Sequence, residues 1–291
     1  MTSPGSSPSP RPGEPAGQRL LLALGGAEER LQIGLARCAA PDAAKGVTAG
    51  HEPAPPAVLP LFFQEWVVPG RAMQFLAPLL ADALARCAVR PEDLDGVACV
   101  RGPGSFTGLR LVLATALGLA LSAGAPMAGL DHMALLARNA RRLGPPPAPG
   151  ARLYVCTHSR RNQVYLQPFD FAPRRPAPLA GPRAANLEEA AAEMENAQAA
   201  PAVFVLGTGL RRNAVFFRER LAGVVRLDGA LETPGCAALL EAAAEAAYSD
   251  EPVEPLYLRP SDAEENLAAI AANRGLDPQD ARRRLRDLLH G

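Results

Sequence analysis

The chain has 291 residues, 48% hydrophobic but only 5% aromatic, so it can bury a sizeable core built from Leu, Val and Ala rather than from rings. Its 30 Lys and Arg residues are balanced by 30 Asp and Glu, which removes the net positive field of a general nucleic-acid binder. Lys45 is the sole lysine, which excludes lysine-based catalysis elsewhere, and Cys38, Cys87, Cys99, Cys156 and Cys236 form no C-x-x-C pair, which argues for buried free thiols in a reducing cytoplasm against disulfides or zinc.

Met1 to Gln18 is rich in Ser, Pro and Gly, without the apolar stretch of a secretory leader, and reads as a flexible tail. Leu20–Leu24 is a short buried strand. Leu31, Ile33 and Leu35 alternate as a second strand would. Cys38 to Pro60 reads as an extended loop, and Leu61–Val68 as a third strand. Ala72–Cys87 carries Met73, Leu76, Leu79, Leu80 and Leu84 at helical spacing, with Pro78 inside the pattern as a kink or a delayed start. A turn at Pro91–Leu94 precedes the strand Gly96–Val100. Three strands, helix, strand, helix is the order of a ribonuclease-H-like half.

Leu111 to Leu130 holds no charge, but Gly118, Gly124 and Pro126 interrupt it, so a buried helix and strand fit better than a membrane span. Two rows of small residues mark the helix after Thr107. Ala114, Gly118 and Ser122 form one; Ala116, Ala120 and Gly124 form another, about 200° away. Such rows let backbones approach closely, one side facing the sheet and the other a second helix. A helix from Asp131-His132, with Met133, Leu135 and Leu136 inward, ends this half, and Leu143 to Gly150 is the linker. The second half reads as strands Arg152–Thr157 and Gln163–Phe169, an irregular Pro-rich stretch Phe171–Arg183, and a helix Leu187–Gln198. Strand Val203–Leu206 follows, then a helix through Arg220, strand Val224–Leu227 and helix Cys236–Tyr248. A charged helix pair, Ala263 to His290, ends the chain. These readings give a tail at 1–18, lobes at 19–145 and 150–248, and a C-terminal segment at 249–291.

The most informative stretch is Arg101-Gly102-Pro103-Gly104-Ser105-Phe106-Thr107-Gly108-Leu109-Arg110, at a strand-to-helix junction. Its glycines and proline fix a backbone path that few residues can follow. Free amides at such a junction can cradle a phosphate. The spacing G-x-G-x-x-x-G, however, matches neither the dinucleotide fingerprint nor a Walker A loop, which favours a structural turn with Thr107 as N-cap. Gly207-Thr208-Gly209 is a second glycine turn of the same kind. His51, His132, His158 and His290 are scattered without a metal-binding spacing, and no nucleophile elbow surrounds Ser105 or Ser122. Asp131 reads as a helix N-cap. The arginine groups Arg141-Arg142, Arg160-Arg161, Arg211-Arg212 and Arg282-Arg283-Arg284 could meet RNA phosphates, but short groups offset by acids read first as solvated surface.

The decapeptide Arg101–Arg110 and its helix resemble the TsaB (YeaZ) family, which serves in making threonylcarbamoyladenosine on tRNA. Phe75–Leu80, Pro91–Val100, Gly129–Leu136, Ser159–Tyr165 (SRRNQVY) and Leu256–Pro260 resemble further parts of it, so the likeness spans about Leu20 to Pro260. The resemblance implies an α/β actin-like ATPase (ASKHA) fold of two ribonuclease-H-like lobes with mixed sheets. It implies a noncatalytic scaffold that binds a TsaD-type transferase, with a TsaE-type ATPase assisting, through first-lobe helices that can also pair as a homodimer. That surface falls here on Met73, Leu76, Leu80, Thr107, Leu111, Ala114, Thr115, Gly118 and Ser122. Gly102, Pro103, Gly104, Ser105, Phe106, Gly108 and Arg110 form the structural loop. No catalytic residue and no metal ligand is expected, and contact with tRNA is expected to be indirect or weak.

Two departures bear on activity. The family's Asp-Thr-type pair after the first strand reads Gly25-Gly26, with Glu28 and Glu29 nearby but off register, and the family's histidine before the first long helix is replaced near Ala72. No cofactor is therefore expected, ATP or ADP between the lobes being the one the resemblance leaves open. The alternative functions are an active actin-like ATPase or phosphotransferase, which needs an acidic Mg²⁺ ligand, and a glycoprotease-like peptidase.

Overall fold

The computed structural model describes residues 17–39, 56–259, 267–280, 283–284 and 287. The chain divides into two compact units, Met1–Leu256 and Tyr257–Gly291. Three antiparallel strands, β1 (Gln18–Gly25), β2 (Arg30–Ala39) and β3 (Val58–Val67), open the larger unit. Helix α1 (Ala72–Arg86) leads to β4 (Gly96–Gly102), α2 (Phe106–Ala123) to β5 (Met127–Asp131), and α3 (His132–Leu143) closes the first half. The sheet order is β3-β2-β1-β4-β5, with β1, β4 and β5 parallel.

The second half repeats this plan. Strands β6 (Arg152–Arg160) and β7 (Gln163–Asp170) are antiparallel. Two short pieces, β8 (Ala177–Pro178) and β9 (Arg183–Asn186), both pair with β7 in place of one third strand. Then come α4 (Leu187–Asn196), β10 (Val203–Leu206), α5 (Thr208–Arg212), α6 (Ala214–Arg220), β11 (Val225–Arg226) and α7 (Cys236–Glu245). The order β11-β10-β6-β7-β8, with β6, β10 and β11 parallel, is the first sheet's order read from the other edge. The architecture is thus α/β, with two ribonuclease-H-like lobes and mixed sheets in the actin-like arrangement. The smaller unit contains α8 (Leu267–Asn273), and residues 278–280, 283–284 and 287 are helical as well, as the expected C-terminal helix pair requires. Most of the expected tail and of the Cys38–Pro60 loop lies outside the described residues, and Val58–Pro60 belongs to β3 rather than to a loop.

Burial explains the strand sequences. All of Leu20–Leu24 is buried because β1 is covered on both faces, the condition under which strands become continuous apolar runs. Strand β2 carries the expected Leu31, Ile33 and Leu35, but its alternate positions are buried too. There α7 packs, and a Cβ on Gly34 would lie 2.8 Å from Leu240 Cδ2. This differs from the expected second lobe of 150–248. Leu239, Leu240 and Ala243 of α7 belong to the core of the first sheet, and Ser249 bridges to Met127 of β5. The uncharged run at 111–130 is likewise divided. Helix α2 is long and apolar enough to cross a membrane by length and composition alone, but Gly124 caps it at φ 62° and Met127 already lies in the sheet.

Two local expectations fail at helix starts. The N-cap of α2 is Ser105, whose Oγ accepts from Gly108 N at 3.4 Å, while Thr107 lies exposed in the first turn. Asp131 precedes α3 but makes no side-chain cap. Its Oδ1 accepts from Arg101 Nε at 2.7 Å, a cross-strand pair that wins over the local amide. The helix expected through Arg220 breaks at Asn213, whose Nδ2 donates to Gly209 O at 2.8 Å. Helix α1, by contrast, runs through Pro78, which faces solvent.

The β4–α2 junction sets the position of α2. Ser105 N donates to Ala27 O at 2.7 Å, so the loop rests on the turn that follows β1. A Cβ on Gly104 would sit 1.9 Å from Ala27 O, and one on Gly108 would sit 2.4 Å from Gly26 O. Both obstacles are backbone and cannot swing aside. Gly104→Ala should therefore destabilise the chain by about 3 kcal/mol, the upper end of ordinary overpacking. Urea denaturation measures this, and a loss under 1 kcal/mol would mean that the junction yields easily.

Candidate functional site

Helices α1 and α2 are neighbours, and each has a buried stripe and an open row. On α1 the stripe is Leu76, Leu80, Ala83 and Leu84; on α2 it is Leu109, Val112, Leu113, Ala116 and Ala120. Leu76 is 1% and Leu80 5% exposed, so both belong to the sheet-facing core and not to a partner surface, contrary to expectation. Their helical spacing with Leu84 was a core signal. The open row of α1 is Met73, Ala77, Ala81 and Ala85, spaced by four. The open row of α2 is Ala114, Gly118 and Ser122, also spaced by four, with Leu121 beside it. Met73 is 71% and Leu121 75% exposed, and a Cβ on Gly118 would meet nothing within 4 Å. Thr107 is exposed; Leu111 and Thr115 are half-buried, Thr115 Oγ1 donating to Leu111 O at 2.8 Å.

Two low ridges with the same four-residue spacing form a face suited to close helix packing, because such ridges interdigitate with those of a facing helix. Leu121 and the Ala77–Ala81–Ala85 row were missed from the sequence. Leu121 sits in a run of apolar residues that gives no sign of its facing, and the alanine row was masked by the more hydrophobic leucines next to it.

The loop residues are placed differently. Gly102 and Pro103 are buried, and Gly102 takes φ 121°. The inner side of the loop, where an anion could have been cradled, is filled by the backbone of Gly26 and Ala27. Phe106 and Arg110 stack at the start of α2, with the guanidinium 5.7 Å from the ring centroid.

Behind this junction lies the cleft between the lobes. The Gly25-Gly26 turn, where the resemblance expected an acidic residue in an active ATPase, is closely packed. A Cβ on Gly25 would already meet Gln32 Oε1 at 2.8 Å, and Gln32 is itself held by Glu65 and by Pro234 O. The cavity beside Gly25, Gly26 and His132 measures about 20 Å³, room for one water and far below the ~300 Å³ at which ligand pockets begin.

Glu28 reaches across the cleft. Its Oε1 accepts from Thr208 Oγ1 at 2.5 Å, and its Oε2 lies 3.5 Å from His132 Nε2. Thr208 Oγ1 in turn accepts from His158 N at 2.9 Å. Burial alone would raise the Glu28 carboxyl, but the His132 imidazole, the Thr208 hydroxyl and the Arg211 charge together hold it below the usual carboxylate value. Glu29 pairs with Arg212 at 2.8 Å and Arg211 with Glu232 at 2.9 Å, so both arginines of this group are engaged in ion pairs. Burial, aided by the charge of Arg212, holds His158 below its ordinary value.

Among the described residues no three His, Cys, Asp or Glu side chains gather as a metal site. His51, His290 and Lys45 lie outside the described residues. Cys38, Cys99 and Cys156 are buried free thiols as expected, and burial pushes Cys99 up to about 12.

The family model described as TsaD, tRNA N6-adenosine threonylcarbamoyltransferase, matches residues 70–266. The tRNA threonylcarbamoyladenosine biosynthesis protein TsaB of Escherichia coli is 33% identical over 97 residues, which cover 33% of this chain and 40% of that protein. A tRNA N6-adenosine threonylcarbamoyltransferase of Sorangium cellulosum is 42% identical over 73 residues, covering 24% of this chain and 20% of that protein. The chain therefore spans less than half the length of each of these relatives. Among solved structures, a Pseudomonas aeruginosa protein with similarity to peptidase YeaZ superposes with a TM-score of 0.61 at 24% identity, over 83% of this chain and 100% of that one, a likeness of fold. The match over well more than half its length shows that the chain belongs to the tRNA N6-adenosine threonylcarbamoyltransferase (TsaD) family, and the curated relatives it resembles include TsaB proteins.

Proposed function

We propose that the chain is a noncatalytic cytoplasmic subunit in the formation of threonylcarbamoyladenosine on tRNA, and that it binds a TsaD-type transferase through the outer face of α1 and α2. The observation that carries this reading is the open row Ala114, Gly118 and Ser122 beside Met73, Ala77, Ala81 and Ala85 on α1. Large apolar side chains stand free at its edges, and small ones form its centre. A face of that shape lets a facing helix approach closely and exclude water, and the aligned relatives are named for a pathway that includes both subunits. A TsaE-type ATPase would join the resulting pair. A homodimer would use the same face and compete with it.

The fate of the acids supports a noncatalytic role. Glu28 is committed to Thr208 and His132, and Glu29 to Arg212, so neither carboxylate is presented to a metal–phosphate group. In this reading Glu28 is a latch between lobes rather than a catalytic acid.

Three outcomes follow. Gly118→Leu and Ala114→Trp should abolish co-purification with the TsaD-type subunit while leaving the free chain folded. Gly118→Leu should even gain up to about 1 kcal/mol, because glycine is a poor helix former at an open position. Retention of the complex by both variants would remove the assigned face. Depletion of the chain should lower threonylcarbamoyladenosine in tRNA, as read by mass spectrometry of nucleosides; an unchanged level would remove the pathway. The latch predicts a pH profile. The folded carboxyl of Glu28 titrates below its unfolded value of 4.5, so its contribution is complete above that pH and is lost as pH falls through the folded value. Glu28→Gln should cost about 2 kcal/mol at pH 7, a difference that shrinks in acid below pH 4.5. Parallel melting curves of both proteins against pH would reveal it, and a constant offset at every pH would exclude the charged latch.

A further inference from the structure

Zero net charge describes a sum, and the fold distributes that sum unevenly. On the side of α3 and α7, away from the outer face of α1 and α2, five arginines and two glutamates line one cavity of about 200 Å³. Arg138, Arg141 and Arg142 come from the last turns of α3. Arg174 and Arg175 come from the Pro-rich stretch after β7, more than thirty residues on. Cations at the end of α3 would be favoured by the helix dipole alone. That does not account for two further arginines brought to the same place by a segment with no helix of its own.

The glutamates orient this cluster without neutralising it. Glu245 accepts from Arg138 and from Arg175 at 2.5 and 2.7 Å, and Glu241 accepts from Arg142 at 2.8 Å. Arg141 Nε donates only to a neutral acceptor, Ala172 O, at 3.3 Å. Arg174 is exposed at the rim, and no acid in the cavity pairs with it. Five positive and two negative charges leave three uncompensated, on guanidinium forks whose planar donors suit phosphate oxygens.

We propose that this α3–α7 cavity is a phosphate-binding site, with Arg141 and Arg174 as the arginines free to take the ligand and Glu241 and Glu245 as the residues that hold the others in position. Its ligand chemistry is that of adjacent phosphates, supplied either by the backbone of an RNA or by a small polyphosphate. The proposal does not depend on the α1–α2 partner face. It departs from the expectation of weak or indirect tRNA contact, which rested on total charge.

The test uses the full chain with two probes, labelled transfer RNA by fluorescence anisotropy and tripolyphosphate by calorimetry, at low and moderate salt. The wild type should bind at least one. The double variant Arg141→Gln with Arg174→Glu should weaken that binding at least tenfold. With RNA it should lower the slope of log affinity against log salt by about 2, since each lost phosphate contact removes about 0.9. Arg174→Lys should retain most of the affinity. Binding of the RNA alone assigns the backbone as source, and binding of tripolyphosphate alone assigns a small ligand; either supports the site. Absence of wild-type binding to either probe, or unchanged binding by a double variant with unaltered melting temperature, overturns it. Co-purification of the double variant with the TsaD-type subunit, measured alongside, keeps this outcome separate from the partner reading.

Discussion

The contact on which the rest of the molecule depends is between two stretches of bare backbone. Gly104 and Gly108 lie against Gly26 and Ala27 so closely that a single added carbon at either position would overlap a carbonyl oxygen. This contact fixes where α2 begins, and Ser105 then caps it. From that start the helix buries Ala116 and Ala120 against the sheet and turns Ala114 and Gly118 outward. The second lobe uses the same device. Gly207, at the end of β10, takes φ 128° where Gly102, at the end of β4, takes 121°. A Cβ on Gly207 would lie 2.4 Å from Cys156 O of β6. The two glycine turns of the sequence are equivalent points of a duplicated plan.

Much of this plan was legible because local chemistry and tertiary packing agree. The apolar run of β1 reads as a buried strand and the glycine-rich junction as a structural turn, and the fold adopts both. The expectations that failed lie where a distant partner overrode a local preference. Asp131 left its helix amide for Arg101, one strand away. Leu76 and Leu80 were assigned outward although their spacing with Leu84 pointed to the core. The second buried face of β2 could not be inferred from its own sequence, because the helix that covers it lies two hundred residues further on. The arginine cavity was hidden for the same reason. Its two halves are separate short groups until the Pro-rich stretch brings them together.

Charge is put to separate uses on separate faces. In the cleft, two acids are engaged across the lobes, Glu28 by the Thr208 hydroxyl and Glu29 by the Arg212 guanidinium. On the α1–α2 face there is little charge in the central rows. In the α3–α7 cavity arginines outnumber acids. A closed cleft, a nearly neutral packing face and a basic cavity are therefore compatible with a chain whose total charge is zero.

The return of α7 to the first sheet bears on how the chain is made. While the N-terminal half emerges from the ribosome, Leu22, Ile33 and their neighbours can gather on α1 and α2, but the opposite face of the sheet lacks the cover that α7 gives beside α3. That cover arrives only with Leu239, Leu240 and Ala243, after the whole second sheet has been synthesised. The first lobe is thus completed last. Nascent chains cut at the linker would present an oily sheet face to chaperones, however well their own strands had paired.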